Sequence, residues 1–275
     1  MTSTTSIFKK SKSNFALAFL GLPRDQRRAM EAIYAYCRVV DDIVDESPNI
    51  EIAKAELNHW KSALAKWPNF SSVLPIHVAQ ELEWAVQRFP ILKSDVLWIL
   101  EGVERDLRPT QYRTLEELLV YCDGVASAVG LCCMSIFGVE RKDAEKYAFA
   151  TGRALQLTNI LRDIESDASR GRLYIPHTFL TGAGLDPEDL KSPTYNEDFM
   201  NMANGFARAI EKFYREAEEE AKKLPLKKIW PAEVMRKTYF QIFCKIREKN
   251  FDVFSGKVSI SKLKKVWIAL SQPRA

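Results

Sequence analysis

An all-α fold is predicted by three features of this 275-residue chain. Apolar residues recur at helical spacing along most of its length. Glycine and proline are sparse, with 11 and 12 residues, which favours long helices over a turn-rich β fold. No strand–helix alternation is visible, and no G-x-G-x-x-G follows a strand-like run. The nearest candidate, Gly182-Ala183-Gly184, sits in a proline-rich stretch, so a nicotinamide-binding α/β unit is not expected. No Ser/Gly linker, low-complexity tract or repeat interrupts the chain, and residues 1–275 read as a single domain.

The elements follow in order. A first helix starts near Pro23, a residue suited to an early helical position, and runs to the break at Ser47-Pro48-Asn49. A second covers 51–66 and stops at Trp67-Pro68-Asn69. Helices over 75–88 and 94–105 flank Pro90. A long apolar helix over 115–137 ends at Gly138, and another spans 141–166. The stretch 168–198, with Gly171, Gly182, Gly184 and three prolines, reads as a long connection holding one short helix; such loops are usually functional. Helices resume at 199–223 and 231–250, and the tail VFSGKVSISKLKKVWIAL fits either an extended or a helical state.

Bulk properties narrow the function. A net charge of +4 suits an anionic ligand or surface, but no dense Lys/Arg block with interleaved aromatics appears, so nucleic acid is not an expected partner. Five cysteines without a CxxC, two of them adjacent (Cys132 and Cys133), and three histidines without HExxH make neither a disulfide framework nor a zinc site. A reducing, cytoplasmic setting is expected. The N-terminal MTSTTSIFKKSKSN lacks a leader's apolar region, and no run resembles the roughly 18 apolar residues of a membrane span.

The informative pattern is a pair of polar stripes. Tyr34, Arg38, Asp41 and Asp45 fall within an arc of roughly 60° on the first helix. Gln156, Asn159, Asp163 and Asp167 fall within roughly 80° on another. Helix seams at this spacing normally carry leucines. Val39, Val40, Ile43 and Val44 flank the first stripe, and Leu155, Leu157, Ile160, Leu161 and Ile164 flank the second. Carboxylates crowded in such surroundings repel and rise in pKa, and a cation must neutralise them. Mg²⁺ suits the task, because it takes oxygen ligands, keeps waters, and is held by one or two carboxylates plus substrate phosphate oxygens. Asp41, Asp45, Asn159, Asp163 and Asp167 are the candidate ligands, with two or three ions bridged by a diphosphate. Arg38 and Arg162 are placed to meet the phosphates, and Arg170, Arg172 and Tyr174 to close over them. A single D-D-x-x-D is usually a solvated face; two stripes in shared register are harder to explain that way.

These residues resemble the squalene/phytoene synthase family. YAYCRVVDDIVDE (Tyr34 to Glu46) and GRALQLTNILRDIESDASRGRLYIP (Gly152 to Pro176) match its two aspartate-rich signatures, and YCDGVASAVG (Tyr121 to Gly130) resembles its central cavity-lining helix. Tyr239 looks like the family's late aromatic position. The resemblance covers essentially the whole chain. One departure is Asn14-Phe15-Ala16, where the family often shows Ser-Phe-Tyr or Ser-Phe-Ser, so diphosphate binding is not carried onto that element. Within the family, FLGLPRDQRRAMEAIYAYCRVVDDIVDE and the tail look most like hopanoid-pathway presqualene diphosphate synthases, with bacterial phytoene synthases next.

The resemblance implies an isoprenoid-synthase-type helical bundle around a central apolar cavity. It implies a magnesium-dependent prenyltransferase that joins two farnesyl diphosphates head to head into presqualene diphosphate, with no NADPH. Tyr34, Arg38, Asp41, Asp45, Tyr121, Asp163 and Asp167 are the expected catalytic residues. Arg38, Val125, Gln156, Asn159, Arg162, Arg172, Tyr174 and Tyr239 are expected at the substrate, and the released diphosphate or one of Tyr34, Tyr121 and Tyr239 could assist proton loss. Gly124, Ala126, Ser127, Ala128 and Gly130 could admit a prenyl tail, although helix packing explains them too; Phe19, Phe137 and Phe240 could be walls or core. The competing readings are a phytoene, dehydrosqualene or squalene synthase, a chain-elongating prenyltransferase or cyclase, and a scaffold protein of the same fold. The second stripe fits neither an elongating enzyme nor a cyclase, and the four standing aspartates disfavour a scaffold. The basic tail could touch anionic lipid at the inner membrane surface.

Overall fold

A computed structural model describes residues 19, 21–74, 76–108, 111–191, 193–256 and 258–272. The N-terminal stretch read for a leader, the Asn14-Phe15-Ala16 element and Lys257 lie outside the described residues. Helix α1 (Arg24–Glu46) follows Pro23, whose fixed φ prepares the first turn, and stops where Ser47 turns extended before Pro48. Its alanine-rich face, Ala29, Ala32 and Ala35 with Ile33 and Val40, lets neighbours approach closely. Asn49 caps α2 (Ile50–Leu64) by accepting from the Ile52 amide at 3.0 Å. Helices α3 (His77–Arg88) and α4 (Lys93–Glu104) also pack on α1.

The long apolar helix is three segments in one rod: α5 (Leu115–Cys122), a π turn over Asp123–Ser127, and α6 (Ala128–Ile136). The extra residue of a π turn displaces the side chains that follow, and such turns often sit at functional sites. Here backbones touch. A Cβ added to Gly124 would lie 2.8 Å from the Gly102 Cα, and one added to Gly152 would lie 2.6 Å from the Ser127 backbone. The rod Leu115–Ile136 has the length and apolarity of a membrane span, contrary to the sequence expectation, yet more than half of its apolar window is buried within the bundle.

Helix α7 (Arg141–Arg162) runs through the middle, against the rod on one side and against α10 (Glu197–Ala221) and α11 (Leu226–Glu248) elsewhere. The expected helix over 141–166 breaks at Asp163, which leaves helical geometry (φ −105°, ψ 15°) before α8 (Ile164–Ser169). The 168–198 connection holds α9 (His177–Thr181) and a 3₁₀ turn, Asp189–Lys191. It is tied to the preceding loop by a Gln111–Leu173 bridge and by the His177 amide donating to the Tyr112 carbonyl at 2.8 Å. Helix α11 starts five residues before the expected position and carries Pro231 inside its second turn, where the Lys227 carbonyl loses its usual donor. The tail resolves as α12 (Lys262–Leu270), capped by Ser261. Among the described residues there is no strand beyond the isolated bridge.

Candidate active site

Helices α1, α6, α7 and α11 and the π turn enclose a cavity of about 330 Å³. Its lower wall is apolar: Phe19, Met30, Ile33, Val129, Met134, Phe137, Leu155 and Met235. Its polar rim carries Tyr34, Arg38 and Asp41 from the first stripe, Gln156 and Asn159 from the second, and Tyr239. Tyr34, Arg38 and Asp41 of the first stripe and Gln156 and Asn159 of the second therefore share one chamber, whereas Asp45, Asp163 and Asp167 lie outside its lining.

Beyond the rim the stripes are joined by ion pairs. Asp45 on α1 accepts from Arg172 at 2.6 Å and from Arg170 at 3.2 Å, both just after the second stripe. The link is electrostatic as well. Burial first, and then the Asp45 charge, push the Asp41 carboxyl up to about 7 against the opposing pull of Arg38. Burial and then Asp163 push Asp167 up to about 7 against Arg172 and Arg170. Asp41 is hemmed in by protein atoms, but its surface borders the open chamber, so solvent and ligand reach it there.

Sequence reasoning missed Asp106. It lies in the 3₁₀ turn after α4 and accepts from the Tyr121 and Tyr174 hydroxyls, each at 2.8 Å. Its charge is felt by Asp41 on one stripe and Asp167 on the other, so it sits between them. Burial raises its own pKa, opposed chiefly by the Tyr174 hydrogen bond and Arg172. The Tyr121 and Tyr174 rings stack at 5.0 Å, with Tyr112 at 6.0 and 6.3 Å. A lone aspartate in a charged turn has no periodic partner, so spacing could not single it out.

Several expectations need correction. Tyr121 and Tyr174 are not on the cavity wall; they belong to the Asp106 network beside it. Arg38 pairs with Asp42 and lies 3.8 Å from Glu46, rather than along Asp41 and Asp45. Arg162 is held by Asp163, its Nε 2.8 Å from the carboxylate, and meets the Tyr239 hydroxyl. Arg38 engages its partners through Nη2, and Arg162 binds Asp163 through Nε and Nη2. Of the small residues, Ala126 and Gly130 line the cavity together with Val125, whereas Gly124, Ser127 and Ala128 serve helix packing. Phe19 and Phe137 are walls, but Phe240 is 37% exposed and packs on Tyr214 instead.

The donor set fits a hard cation. Among the described residues no three His, Cys, Asp or Glu side chains converge tightly enough to hold a metal by themselves. Mg²⁺ takes one or two carboxylates and completes its shell with water and phosphate oxygens. The buried Asn159 Oδ1 has no hydrogen-bond partner, while its Nδ2 donates to Gln156 at 3.4 Å. An orphaned buried oxygen beside acidic neighbours is a donor suited to a cation. Asp41, Asp45, Asn159, Asp163 and Asp167 could hold it.

The chain is similar to known proteins in both sequence and fold. A presqualene diphosphate synthase from Rhodopseudomonas palustris is 32% identical over 94% of the chain and 92% of its own length. Phytoene synthase 3, chloroplastic, from Zea mays is also 32% identical over 94% of the chain, but the chain spans only 62% of that protein. The chain likewise spans about three fifths of the other chloroplast phytoene synthases that head its relatives. Among solved structures, a dehydrosqualene synthase in complex with ligand superposes with a TM-score of 0.83, 26% identity, and coverage of 97% of this chain and 93% of that one. A squalene synthase from Alicyclobacillus acidocaldarius shares the fold with a TM-score of 0.81 at 24% identity, over 90% of this chain and 93% of that one. The architecture is the isoprenoid-synthase helical bundle. The squalene/phytoene synthase family model matches residues 8–264, and the chain belongs to that family.

Proposed function

We propose that the protein condenses two farnesyl diphosphates head to head into presqualene diphosphate and diphosphate. The observation that carries this reading is the closure of two aspartate-bearing helix faces over one apolar chamber, tied by Asp45 to Arg172 and Arg170. The relative from Rhodopseudomonas palustris, matched along 92% of its length, supports the C15 substrate.

The chain's residues divide the work. Asp41, Asp45, Asn159, Asp163 and Asp167 would hold Mg²⁺, which when bound would supply charge stabilisation to the diphosphate leaving group. Arg170 and Arg172, already reaching across to Asp45, close over the diphosphate from the loop side. Arg38 and Arg162 add charge-assisted hydrogen bonds to phosphate oxygens. The C1–O bond of the first substrate breaks with its electron pair going to diphosphate, and charge stabilisation at that oxygen is the largest catalytic contribution. The allylic cation is shielded from water by Phe19, Ile33, Val129 and Leu155. The C2–C3 alkene of the second substrate bonds to that carbon, and loss of a proton closes the cyclopropane. Tyr34 and Tyr239 bring hydroxyls to the polar rim of the cavity, and the released diphosphate takes the proton. No nicotinamide step is assigned, and a cytoplasmic setting suits these substrates.

The test is mass spectrometry of products formed by purified protein with Mg²⁺ and no reductant. Farnesyl diphosphate alone should yield a C30 cyclopropyl diphosphate. A C40 product from geranylgeranyl diphosphate, with farnesyl diphosphate left unused, would transfer the assignment to phytoene synthesis, the reaction for which the Zea mays relative is named. No turnover of either would sink the enzymatic reading.

A further inference from the structure

The last helix, α12, presents an apolar face that the fold leaves uncovered. Leu263 is 83% exposed, Trp267 and Leu270 64% each, and Val266 39%, whereas Ile268 and Ala269 are buried against the bundle. At about 100° per residue, the four exposed residues fall in one arc of roughly 100°. Lys262 and Lys264 border that arc on its two sides, and both are exposed. The Lys264 ammonium rides 5.5 Å from the Trp267 ring centre. The helix is held in this orientation by Lys237 donating to Gln272 at 2.7 Å and Lys245 donating to the Ser259 carbonyl at 2.8 Å.

We propose that α12 docks this face on an anionic lipid bilayer. An apolar arc containing tryptophan, rimmed by lysines whose stems can lie along it, is the pattern of an interfacial helix. Charge selects the occupant. From Val253 to Ala275 the chain carries four lysines, one arginine and no Asp or Glu. A second copy packed face to face on α12 would bring lysines together with no carboxylate in the segment to pair them, whereas lipid phosphates supply the missing anions. The arc belongs to none of the cavity-lining elements, so docking leaves the chamber's residues in place.

Co-sedimentation of the full chain with vesicles tests this without substrate, and so independently of the catalytic assignment. Vesicles of phosphatidylcholine mixed with phosphatidylglycerol should pellet the protein, and added salt should release it. Partitioning should fall about tenfold or more in Leu263→Ser/Trp267→Ser and in Lys262→Glu/Lys264→Glu, with circular dichroism and Tm unchanged because all four side chains are exposed. Wild-type protein left in the supernatant, or variants that pellet equally, would overturn the proposal. So would concentration-dependent self-association, without lipid binding, that disappears in the Leu263→Ser/Trp267→Ser variant, since a second copy would then be the occupant. If that variant misfolds, quenching by brominated lipid decides: wild type should be quenched strongly and Trp267→Phe weakly, and equal quenching would count against docking.

Discussion

Asp41 and Asp167 carry a stability cost alongside their proposed role. Each is raised to about 7 by burial and by an aspartate neighbour. A carboxyl whose pKa is higher in the folded state than its unfolded value of 3.8 binds its proton more tightly when folded. Without ligand, the protein should lose stability as pH rises from about 4 through about 7, as these groups ionise in place. Thermal melts across that window check the slope; a rise would contradict it. Asp41→Asn and Asp167→Asn should raise Tm at neutral pH, since like-charge repulsion is relieved, while turnover falls about 10²–10³-fold. Paired melts and product assays read both effects. Asp106→Ala should act differently. It strips the acceptor from two tyrosine hydroxyls, so stability should fall by about 3 kcal/mol, whereas Asp106→Asn should lose less because its carbonyl still accepts. Denaturant melts of the two variants separate these outcomes.

At the scale of elements, the π turn and its glycines decide how the cavity wall is presented. Gly124 lies on Gly102 and Gly152 lies on Ser127, backbone against backbone, with no room for a methyl group. Gly102→Ala and Gly152→Ala should therefore destabilise by about 1–3 kcal/mol or more, as overpacking does, and the denaturation midpoint measures it. Gly130 differs: a Cβ there would meet Ala148 no closer than 3.4 Å, so Gly130→Ala should keep Tm within a few degrees. The stripes were legible because eight polar residues keep helical register amid Val, Ile and Leu. The break at Asp163 was not, since Asp163 and its neighbours fit a helical pattern and only the Arg162 pairing and the turn geometry mark the departure. The early start of α11 was hidden by Pro231, which reads as a first-turn residue yet is tolerated five positions into the helix. Small residues at 124–130 carried two meanings, and only packing could sort Ala126 and Gly130 from Gly124, Ser127 and Ala128.

For the whole molecule, the fold matters because it brings two sequence-distant helices to one opening, with Asp45 of α1 bonded to Arg172, 127 residues away. The helical class followed from periodicity, but the shared chamber depends on crossing angles that no local pattern encodes. Asp106 is the clearest case: its position between the stripes arises from the meeting of α4, the rod and the 168–198 connection. The measurement that tests this most directly is a double-mutant cycle on binding of a non-hydrolysable farnesyl thiodiphosphate with Mg²⁺, by calorimetry, for wild type, Asp41→Asn, Asp167→Asn and the double variant. Faces that share one ion-bound diphosphate predict coupling of about 1 kcal/mol or more between the two sites; strictly additive losses would mean that the two carboxylates do not act on the same ligand.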